Sequence, residues 1–515
     1  MFKKSSKTKQ FDMFSSPSGL MCERESRQYD DQTAWHNKFY TEVTSKIDEE
    51  IFKPLYTTER KDNRVGRPNA PIRVLIAMMI LKEGCGCSDE QLYEQCRFNL
   101  LYRRALGMVT LDEQCPTIES YYGLRRKICQ YDDEHKENLF EKCFKQITKL
   151  QAKEYRISGK SIRMDSKLIS SNIAWYSRYE IIHKSFMSSV TENELNGIAD
   201  QLVRQQALDF FMEDAAKTVY RSDSETMGKR LLSLGIVIDY VLTHSPKNSK
   251  PILARVFSEQ YDKTDGVVSV RDKKQISAKS LQNPNDPDAE YRGKGGQKVK
   301  GYSTNITETT DEAGKPSLIT DVKVKGASAA DNGYLQDAVN STKEVTGNDV
   351  STIYADGAYQ SDGNRKFAED NQIDFVANGL QGKTSRFDLN MTEEQTLEVT
   401  DKHTGEVRTA IPVKANRWKI GLKDANGKMS WRYFTKEQVD KAEVRRKFDA
   451  IPFEERKKRN NAEASIFQYS FHTRNNKTRY RTLIKHTLQA IARCAWINVR
   501  RLFWFDVKSS LQIAK

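Results

Sequence analysis

The chain has 515 residues, with 84 Lys or Arg against 70 Asp or Glu, and its formal net charge is +14. Its length predicts more than one domain, and 22 Phe, 22 Tyr and 6 Trp suffice for hydrophobic cores, which excludes disorder of the whole chain. The longest apolar run, Val74 to Leu81, is far shorter than the roughly 20 residues of a membrane helix, so no spanning segment is expected. Residues 1–30 lack the apolar region of a secretory signal. We expect them to be a loose segment of a cytoplasmic protein.

The segment 31–155 is predicted to form a helical domain. In PIRVLIAMMILKEG the apolar residues recur at helical spacing: Ile72, Leu75, Ile76, Met79 and Ile80. Ser88 and Gln91 have the spacing of a capping box, which predicts the start of a second helix. A third helix is expected from Thr117.

Three helices with a Gly-containing turn are typical of a helix-turn-helix, whose last helix enters the major groove of DNA. An ordinary helical bundle with a basic face explains the same spacing equally well. Under the first interpretation, the residues that face DNA are Ser120, Tyr121, Arg125 and Arg126.

The segment 156–382 alternates short strands with helices. A strand is expected in SIRMDSKLI, a helical insertion at about 179–282, a hairpin around Gly314, and then helix, strand, helix and strand up to IDFVANG. This order predicts an α/β mixed sheet with helices on its faces. The segment 383–440 has HTG and ANG turn signals between strand-like runs, which predicts a β-rich insertion. Helices are expected to resume at about Lys436.

Positive charge is concentrated in the segment 441–515. It contains 18 Lys or Arg and 6 Asp or Glu, a net +12, which leaves +2 for the rest of the chain. Aromatic residues interleave with these cations, and a polyanion such as DNA would be attracted to such a surface. A solvated helical tail is the simpler alternative. The candidate DNA-binding cations here are Arg456, Arg459, Arg474, Lys477, Arg479, Arg481 and Lys485.

Two aspartates lie in predicted strands of the mixed sheet. Asp165 lies in RMDSKLISSN, and Asp356 follows the apolar run of TIYADGAY. An acidic residue in an apolar strand is unfavourable unless it is paired, hydrated or bound to metal. If these strands are neighbours, the two carboxylates can share divalent cations, and oxygen ligands suit Mg²⁺.

A third carboxylate is expected from a helix packed beside the ends of these strands. Glu463 follows Arg459 by four residues and Arg456 by seven, which predicts one shared helical face. An ordinary surface ion pair is the alternative for Glu463 taken alone. Glu454 and Glu455 are alternatives for the third carboxylate.

At these residues the chain resembles the DDE transposases of bacterial insertion sequences. The resemblance covers most of the chain, including the helical segment from Arg67, DSKLISSN, YRGKGGQKVKGYSTNI, YADGAYQS and RNNAEASIF. In the signature helix of the family, Arg456 stands at the tyrosine position and Ser470 at the lysine position. The resemblance implies an α/β ribonuclease-H-like mixed sheet with a β-rich insertion, an all-α N-terminal domain and a helical C-terminus. It implies these catalytic, metal-binding residues: Asp165, Asp356 and Glu463.

The implied activity is two-metal phosphoryl transfer that cleaves the ends of the insertion sequence and joins them to target DNA. The expected cofactor is a pair of Mg²⁺ ions, for which Mn²⁺ would substitute. The expected partners are the double-stranded element ends and target DNA, bound by a homodimer associated with the nucleoid. The alternatives are a DNA-binding protein without catalysis and a metal-dependent nuclease of the same fold.

Two further sets of residues have structural and functional interpretations. Trp418 and Trp431, beside basic residues of the β-rich insertion, are expected either to fill its core or to stack on a displaced base, as an aromatic residue does in some members of the family. Two other carboxylates are expected to have structural roles. Asp321 would point outward from a strand, and Asp331 would cap a helix.

Overall fold

The computed structural model describes residues 2–4, 17–56, 68–246, 248–310, 312–378, 385–392, 394–423 and 429–513. The first part of the chain is helical: α1 (Glu23–Asp30), α2 (Trp35–Glu42), α3 (Ile72–Cys85), α4 (Asp89–Phe98), α5 (Leu100–Ala105), α6 (Ile118–His135) and α7 (Leu139–Glu154). Short 3-10 helices lie at Pro17–Leu20, Thr44–Lys46 and Glu49–Tyr56.

The helices predicted in this part are confirmed. α3 is buried on most sides and ends at Gly86, which has the left-handed φ of 71° that suits glycine. Ser88 and Gln91 form the predicted capping box of α4. The side chain of Thr117 accepts a hydrogen bond from the backbone N–H of Ser120 at the start of α6.

Two features of this part differ from expectation. The loose segment expected at the N-terminus contains α1, where Tyr29 is buried and its carbonyl accepts hydrogen bonds from His36 and Asn37. Residues 1 and 5–16 lie outside the described residues. In addition, α5 lies between α4 and α6, because Asn99 caps a helix of six residues that is too short to show periodicity.

The central sheet begins with β1 (Ser161–Ser170), as predicted. A helical insertion with a core of its own follows: α8 (Arg178–Met187), α9 (Glu192–Asn196), α10 (Gln201–Phe211), α11 (Ala215–Arg221), α12 (Ser224–His244) and α13 (Pro251–Gln260). The helical prediction is wrong beyond α13, where β2 (Tyr261–Thr264) and β3 (Val267–Val270) form a hairpin. The reason is the turn at Asp265 and Gly266, which have positive φ of 51° and 80°.

The remaining elements of the sheet follow in the predicted order. They are β4 (Glu290–Lys294), β5 (Gln297–Thr309), β6 (Ile319–Gly326), α14 (Leu335–Thr346), β7 (Thr352–Asp356), α15 (Asp362–Asp370) and β8 (Asp374–Asn378). The hairpin of β5 and β6 is confirmed, whereas the short strand β4 was not predicted. A 3-10 helix at Asp331–Tyr334 precedes α14.

The sheet is mixed, as expected. β5 is antiparallel to β1 on one side and to β4 and β6 on the other. β7 is parallel to β1, and β8 is parallel to β7. The order across the sheet is therefore β6, β5, β1, β7, β8, with β4 beside the start of β5.

The segment 383–440 contains two small antiparallel sheets within the described residues. One consists of β9 (Phe387–Met391), β10 (Leu397–Asp401) and β11 (Val407–Thr409), and the other of β12 (Ile411–Lys414), β13 (Arg417–Lys423) and β14 (Met429–Thr435). They enclose a core that includes Phe387, Leu397, Ile420 and Phe434.

Helices complete the chain: α16 (Lys436–Asp449), α17 (Phe453–Lys457), α18 (Asn460–Ser470) and α19 (Leu483–Ile513). In α19 an apolar stripe recurs at helical spacing and is buried, since the helix packs on α3, α7 and β6: Leu488, Ile491, Ala495, Val499 and Leu502. In the part of the chain that the structure describes, no helix has the length and apolar character needed to cross a membrane.

Candidate active site

Asp165 and Asp356 lie on neighbouring parallel strands. The register of β1 and β7 pairs Arg163 with Tyr354, and two more residues along each strand bring Asp165 level with Asp356. Alternate residues of a strand share a face. The Tyr354 hydroxyl donates to Glu455 on α17 at 2.8 Å, which shows that this face lies against the C-terminal helices.

Glu463 comes from α18, which packs across β1. The guanidinium of Arg459 connects it to the sheet. Nη2 of Arg459 donates to Oδ2 of Asp165 at 3.2 Å, and Nη1 donates to Oε1 of Glu463 at 3.5 Å. The Asp165 side chain is 17% exposed and the Glu463 side chain 65% exposed, so the site opens to solvent on the side of the glutamate.

Negative charge is in excess at this site. Burial raises the pKa of Asp165, and the charges of Asp356 and Glu463 raise it further, while Arg459 and the backbone N–H of Ser166 act in the opposite direction. The net shift of this pKa is upward. Asp356 and Glu463 are therefore close enough for their charges to act on Asp165, and Arg459 does not cancel the upward shift of its pKa.

The donor chemistry of this site fits a hard divalent cation. Asp165, Asp356 and Glu463 offer carboxylate oxygens, which are the ligands that Mg²⁺ prefers. Among the described residues, no three His, Cys, Asp or Glu side chains already surround one point as metal ligands do. Arg459 is the cation that now lies between Asp165 and Glu463.

The helix that was predicted to carry Arg456, Arg459 and Glu463 together is divided in two. α17 ends at Lys457 and α18 begins at Asn460, with Lys458 and Arg459 in the turn between them. Lys458 turns back to pair with Glu455, and Arg459 turns to Asp165. The expected pairing of Arg459 with Glu463 is present, whereas Arg456 lies on the preceding helix, because the turn at Lys458 and Arg459 interrupts the single helix expected from the sequence.

The alternatives for the third carboxylate have partners elsewhere. Glu455 accepts hydrogen bonds from Tyr354 and Lys458 at 2.8 Å. Glu454 pairs with Lys457 at 2.9 Å. The carboxylates whose charges raise the pKa of Asp165 are Asp356 and Glu463.

Two carboxylates outside the site differ from expectation. Asp331 is not a helix cap, since its carboxylate accepts a hydrogen bond from Ser166 at 2.9 Å and lies 3.6 Å from Arg292. Asp321 does not point outward, because α14 and α19 both pack on β6, and its side chain is buried. Burial raises the pKa of Asp321 to about 6, and its neighbour Lys323 pairs with Glu141 instead.

Most of the predicted DNA-binding cations of the C-terminal region lie on the surface, whereas Arg456 and Arg459 are partly buried. Those that are exposed are Arg474, Lys477, Arg479, Arg481 and Lys485. Their segment lies beside the end of β1, where the carbonyl of Asn476 accepts a hydrogen bond from Ser170 at 2.8 Å. The sequence has no Asp or Glu between Glu463 and Asp506. No acidic residue of this stretch therefore neutralises its exposed cations.

The two arginines of the expected recognition helix have different surroundings. Arg125 is partly buried, lies 3.5 Å from Asp89 and stacks on Tyr122. Tyr121 is buried, so it does not face solvent as the helix-turn-helix interpretation expected. Arg126 is exposed.

The two tryptophans of the β-rich segment also differ. Trp418 packs partly buried against the core of that segment, whereas Trp431 is 47% exposed with Lys419 4.2 Å from its ring centroid. Arg432 lines a pocket of about 540 Å³ together with Gly357, which follows Asp356. Because successive residues of a strand point to opposite faces, the Trp431 ring faces away from this pocket.

Two exposed aromatic rings beside Glu463 were missed from the sequence. Phe467 and Phe471 are 66% and 64% exposed, and their ring centroids are 6.2 Å apart. They follow Glu463 by four and eight residues, which places them on its side of the helix. That spacing was the signal available in the sequence.

Comparison with known proteins identifies one region. Residues 27–126 match a family model described as "Transposase domain (DUF772)". The helical region is similar to a transposase domain. The match does not extend to the sheet or to the carboxylates.

Other comparisons add little. No curated protein matches the chain. The cryo-EM structure of a piggyBac transposase synaptic complex with hairpin DNA is 9% identical, with 92% of this chain and 75% of that chain covered and a TM-score of 0.30. A TM-score this low carries no weight for the fold or the site.

Proposed function

We propose that the protein is a DNA transposase of the DDE type, with a ribonuclease-H-like catalytic core. It cleaves the ends of its insertion sequence and joins them to target DNA. The observation that carries the proposal is the approach of Asp165, Asp356 and Glu463 on one face of the sheet. The strand order, with β1 between an antiparallel and a parallel neighbour, supports it, and so does the match of the helical region.

The carboxylates of Asp165, Asp356 and Glu463 would hold the metal. When bound, Mg²⁺ would act as a Lewis acid toward the attacking water or 3′-hydroxyl and toward the leaving oxygen. Mn²⁺ would substitute for it. Arg459 releases Glu463 and contacts the DNA phosphate nearest the carboxylates. Partial burial of Asp165 keeps water away from one side of the site.

DNA binding is divided between two surfaces in this proposal. The exposed C-terminal cations contact phosphates and position the duplex. The helical region that matches the transposase domain reads the sequence of the element ends, with Arg126 as its exposed arginine. A homodimer would bring two ends together.

The stacking of a displaced base has candidates in two places. Trp431 keeps the exposed ring that stacking needs, but it faces away from the pocket beside Gly357, and Trp418 lies against a core. Phe467 lies on the helix of Glu463, Phe471 directly follows that helix, and both rings are exposed. We therefore favour the two phenylalanines as the stacking surface.

The test uses the full chain and DNA that carries the inverted repeats flanking its coding sequence. With Mg²⁺, the proposal expects cleavage at the ends and covalent joining to a target plasmid, both lost on chelation with EDTA. Cleavage without joining indicates the metal-dependent nuclease. Specific binding without either reaction indicates the catalytically inactive DNA-binding protein.

A further inference from the structure

A fourth carboxylate, Glu308, lies beside the site but is buried. It is 1% exposed and lies directly opposite Arg163 in the register of β1 and β5. Oε1 of Glu308 is 2.5 Å from Nε of Arg163, and Oε2 is 2.6 Å from Nη2 of Arg501 on α19. The hydroxyl of Ser465 on α18 donates to the same Oε2 at 2.6 Å.

The positions of these partners connect the cluster to the site. Arg163 precedes Asp165 by two residues on β1, so both side chains project from one face of the strand. Ser465 follows Glu463 by two residues on α18. A single carboxylate therefore joins the strand of one candidate ligand to the helix of another.

Polar contacts hold α18 at both of its ends. Its far end is held by the Tyr469 hydroxyl, 3.1 Å from Thr304, and by Arg493, which donates to the carbonyl of Gln468. Near Glu463, the hydroxyl of Ser465 donates to Glu308 and accepts a hydrogen bond from Arg501 at 2.6 Å. Ser465 therefore connects this end of the helix directly to Glu308 on β5.

The buried charge of Glu308 is compensated by two arginines. Burial alone would raise the pKa of Glu308, but Arg501 and Arg163 hold this pKa below its ordinary value. The carboxylate therefore stays charged and keeps its contacts. A buried ion pair of this kind is costly to break, since removal of one partner leaves the others uncompensated.

We propose that Glu308 is a positioning residue that sets the separation of Asp165 and Glu463. It acts through Arg163 on the strand and through Ser465 on the helix, and it touches neither metal nor DNA. This inference rests on the proposed function, because the separation matters only if both carboxylates hold metal.

The chain offers a matched control. Glu42 is also fully buried, with Oε1 2.8 Å from Lys38 and Oε2 2.6 Å from Lys46 in the helical domain. Glu42→Gln disturbs a buried carboxylate with two cationic partners away from the site. Any effect that it shares with Glu308→Gln reports general stability alone.

The experiment measures Mn²⁺ binding by electron paramagnetic resonance without DNA, together with kcat and KM for strand cleavage, on the full chain. For Glu308→Gln we expect at least a tenfold loss of Mn²⁺ affinity and a fall in kcat with little change in KM. Ser465→Ala disturbs folding less and should show the same pattern, whereas Ser465→Thr keeps the hydroxyl and should restore most of the affinity. Glu42→Gln should lower thermal stability and leave Mn²⁺ affinity unchanged.

The outcomes separate this inference from the function on which it rests. If Glu308→Gln and Ser465→Ala bind Mn²⁺ and cleave like the wild type, or change only as Glu42→Gln does, the positioning role is overturned and the function stands. If the wild type binds no Mn²⁺ and cleaves no DNA, the proposed function is overturned, and the positioning role falls with it.

Discussion

Two sites on the same face of one sheet differ in how their negative charge is compensated. One is the buried carboxylate of Glu308, and the other is the group of Asp165, Asp356 and Glu463. Around Glu308, two arginines and a serine hydroxyl compensate one buried charge. Two residues along β1, the charges of Asp356 and Glu463 act on Asp165, and Arg459 contacts both Asp165 and Glu463. The ion pairs of Glu308 stabilise the packing of helix on sheet. The carboxylates of the second site have negative charge left over, which a bound cation would compensate.

The difference separates carboxylates that stabilise the fold from carboxylates that are candidates for function. Buried charges in a stable core are paired, because the loss of hydration of an unpaired charge is not offset by an ion pair or a hydrogen bond. The like charges of Asp165 and Asp356 on two neighbouring strands are an exception to that rule. The predictions below change one member of either site, or of a related pair elsewhere.

The largest effect is expected at the uncompensated group. Asp165→Asn or Asp356→Asn removes a candidate metal ligand and should lower strand cleavage by on the order of 10³-fold or more, about 4 kcal/mol in the barrier. The thermal midpoint should be unchanged or raised, because a repulsive charge is lost. Cleavage and calorimetry check both parts; retained cleavage contradicts the assignment of these ligands.

Asp321 tests whether an uncompensated buried carboxylate lowers the free energy of unfolding when it lies outside the candidate site. Its folded pKa of about 6 lies above the ordinary 3.8, so the folded state binds the proton more tightly than the unfolded state. Stability therefore falls as pH rises from about 4 to 6, and the full cost is present above that range. Asp321→Asn should raise the free energy of unfolding at pH 8 by up to about 3 kcal/mol and remove this pH dependence, as measured by urea unfolding.

Asp331→Asn is the control for Asp321→Asn. Its carboxylate has Ser166 and Arg292 as partners, so the same substitution should lower stability. Equal signs for the two variants would contradict the distinction between compensated and uncompensated carboxylates.

A smaller effect, on the affinity for DNA, is expected for the exposed cations of the C-terminal region. Arg474→Ala with Lys485→Ala removes two candidate phosphate contacts, which should reduce the slope of log affinity against log salt by about 2 for any DNA sequence. The matched control replaces Lys217 and Lys229 in the helical insertion, both exposed. Filter binding over a salt series measures the slopes; an equal change in both pairs would argue against a dedicated DNA surface.

The smallest effect compares a paired arginine with an exposed one on α6. Arg125→Ala breaks a partly buried contact with Asp89 and should cost on the order of 1 kcal/mol of stability. Arg126→Ala should leave stability unchanged and lower the preference for element ends over random DNA. Unfolding curves and competition binding distinguish the two results, and identical behaviour would remove the division between them.

The sequence by itself determined the features that depend on local pattern. Apolar spacing fixed α3 and the stripe of α19, and the cap of α4 was evident from Ser88 and Gln91. The order of strands and helices predicted a mixed sheet, and apolar runs placed Asp165 and Asp356 within it. These signals are local because hydrogen bonding and burial repeat with the period of each element.

Tertiary structure decided which partner each charged side chain meets. The turn of Arg459 to Asp165, the enclosure of Glu308 by Arg163 and Arg501, and the burial of Asp321 all join segments far apart in the chain. No periodicity within one element contains that information. Electrostatic balance depends on distances of a few ångströms between distant residues, so the same sequence pattern fits a compensated charge and an uncompensated one until the helices pack on the sheet.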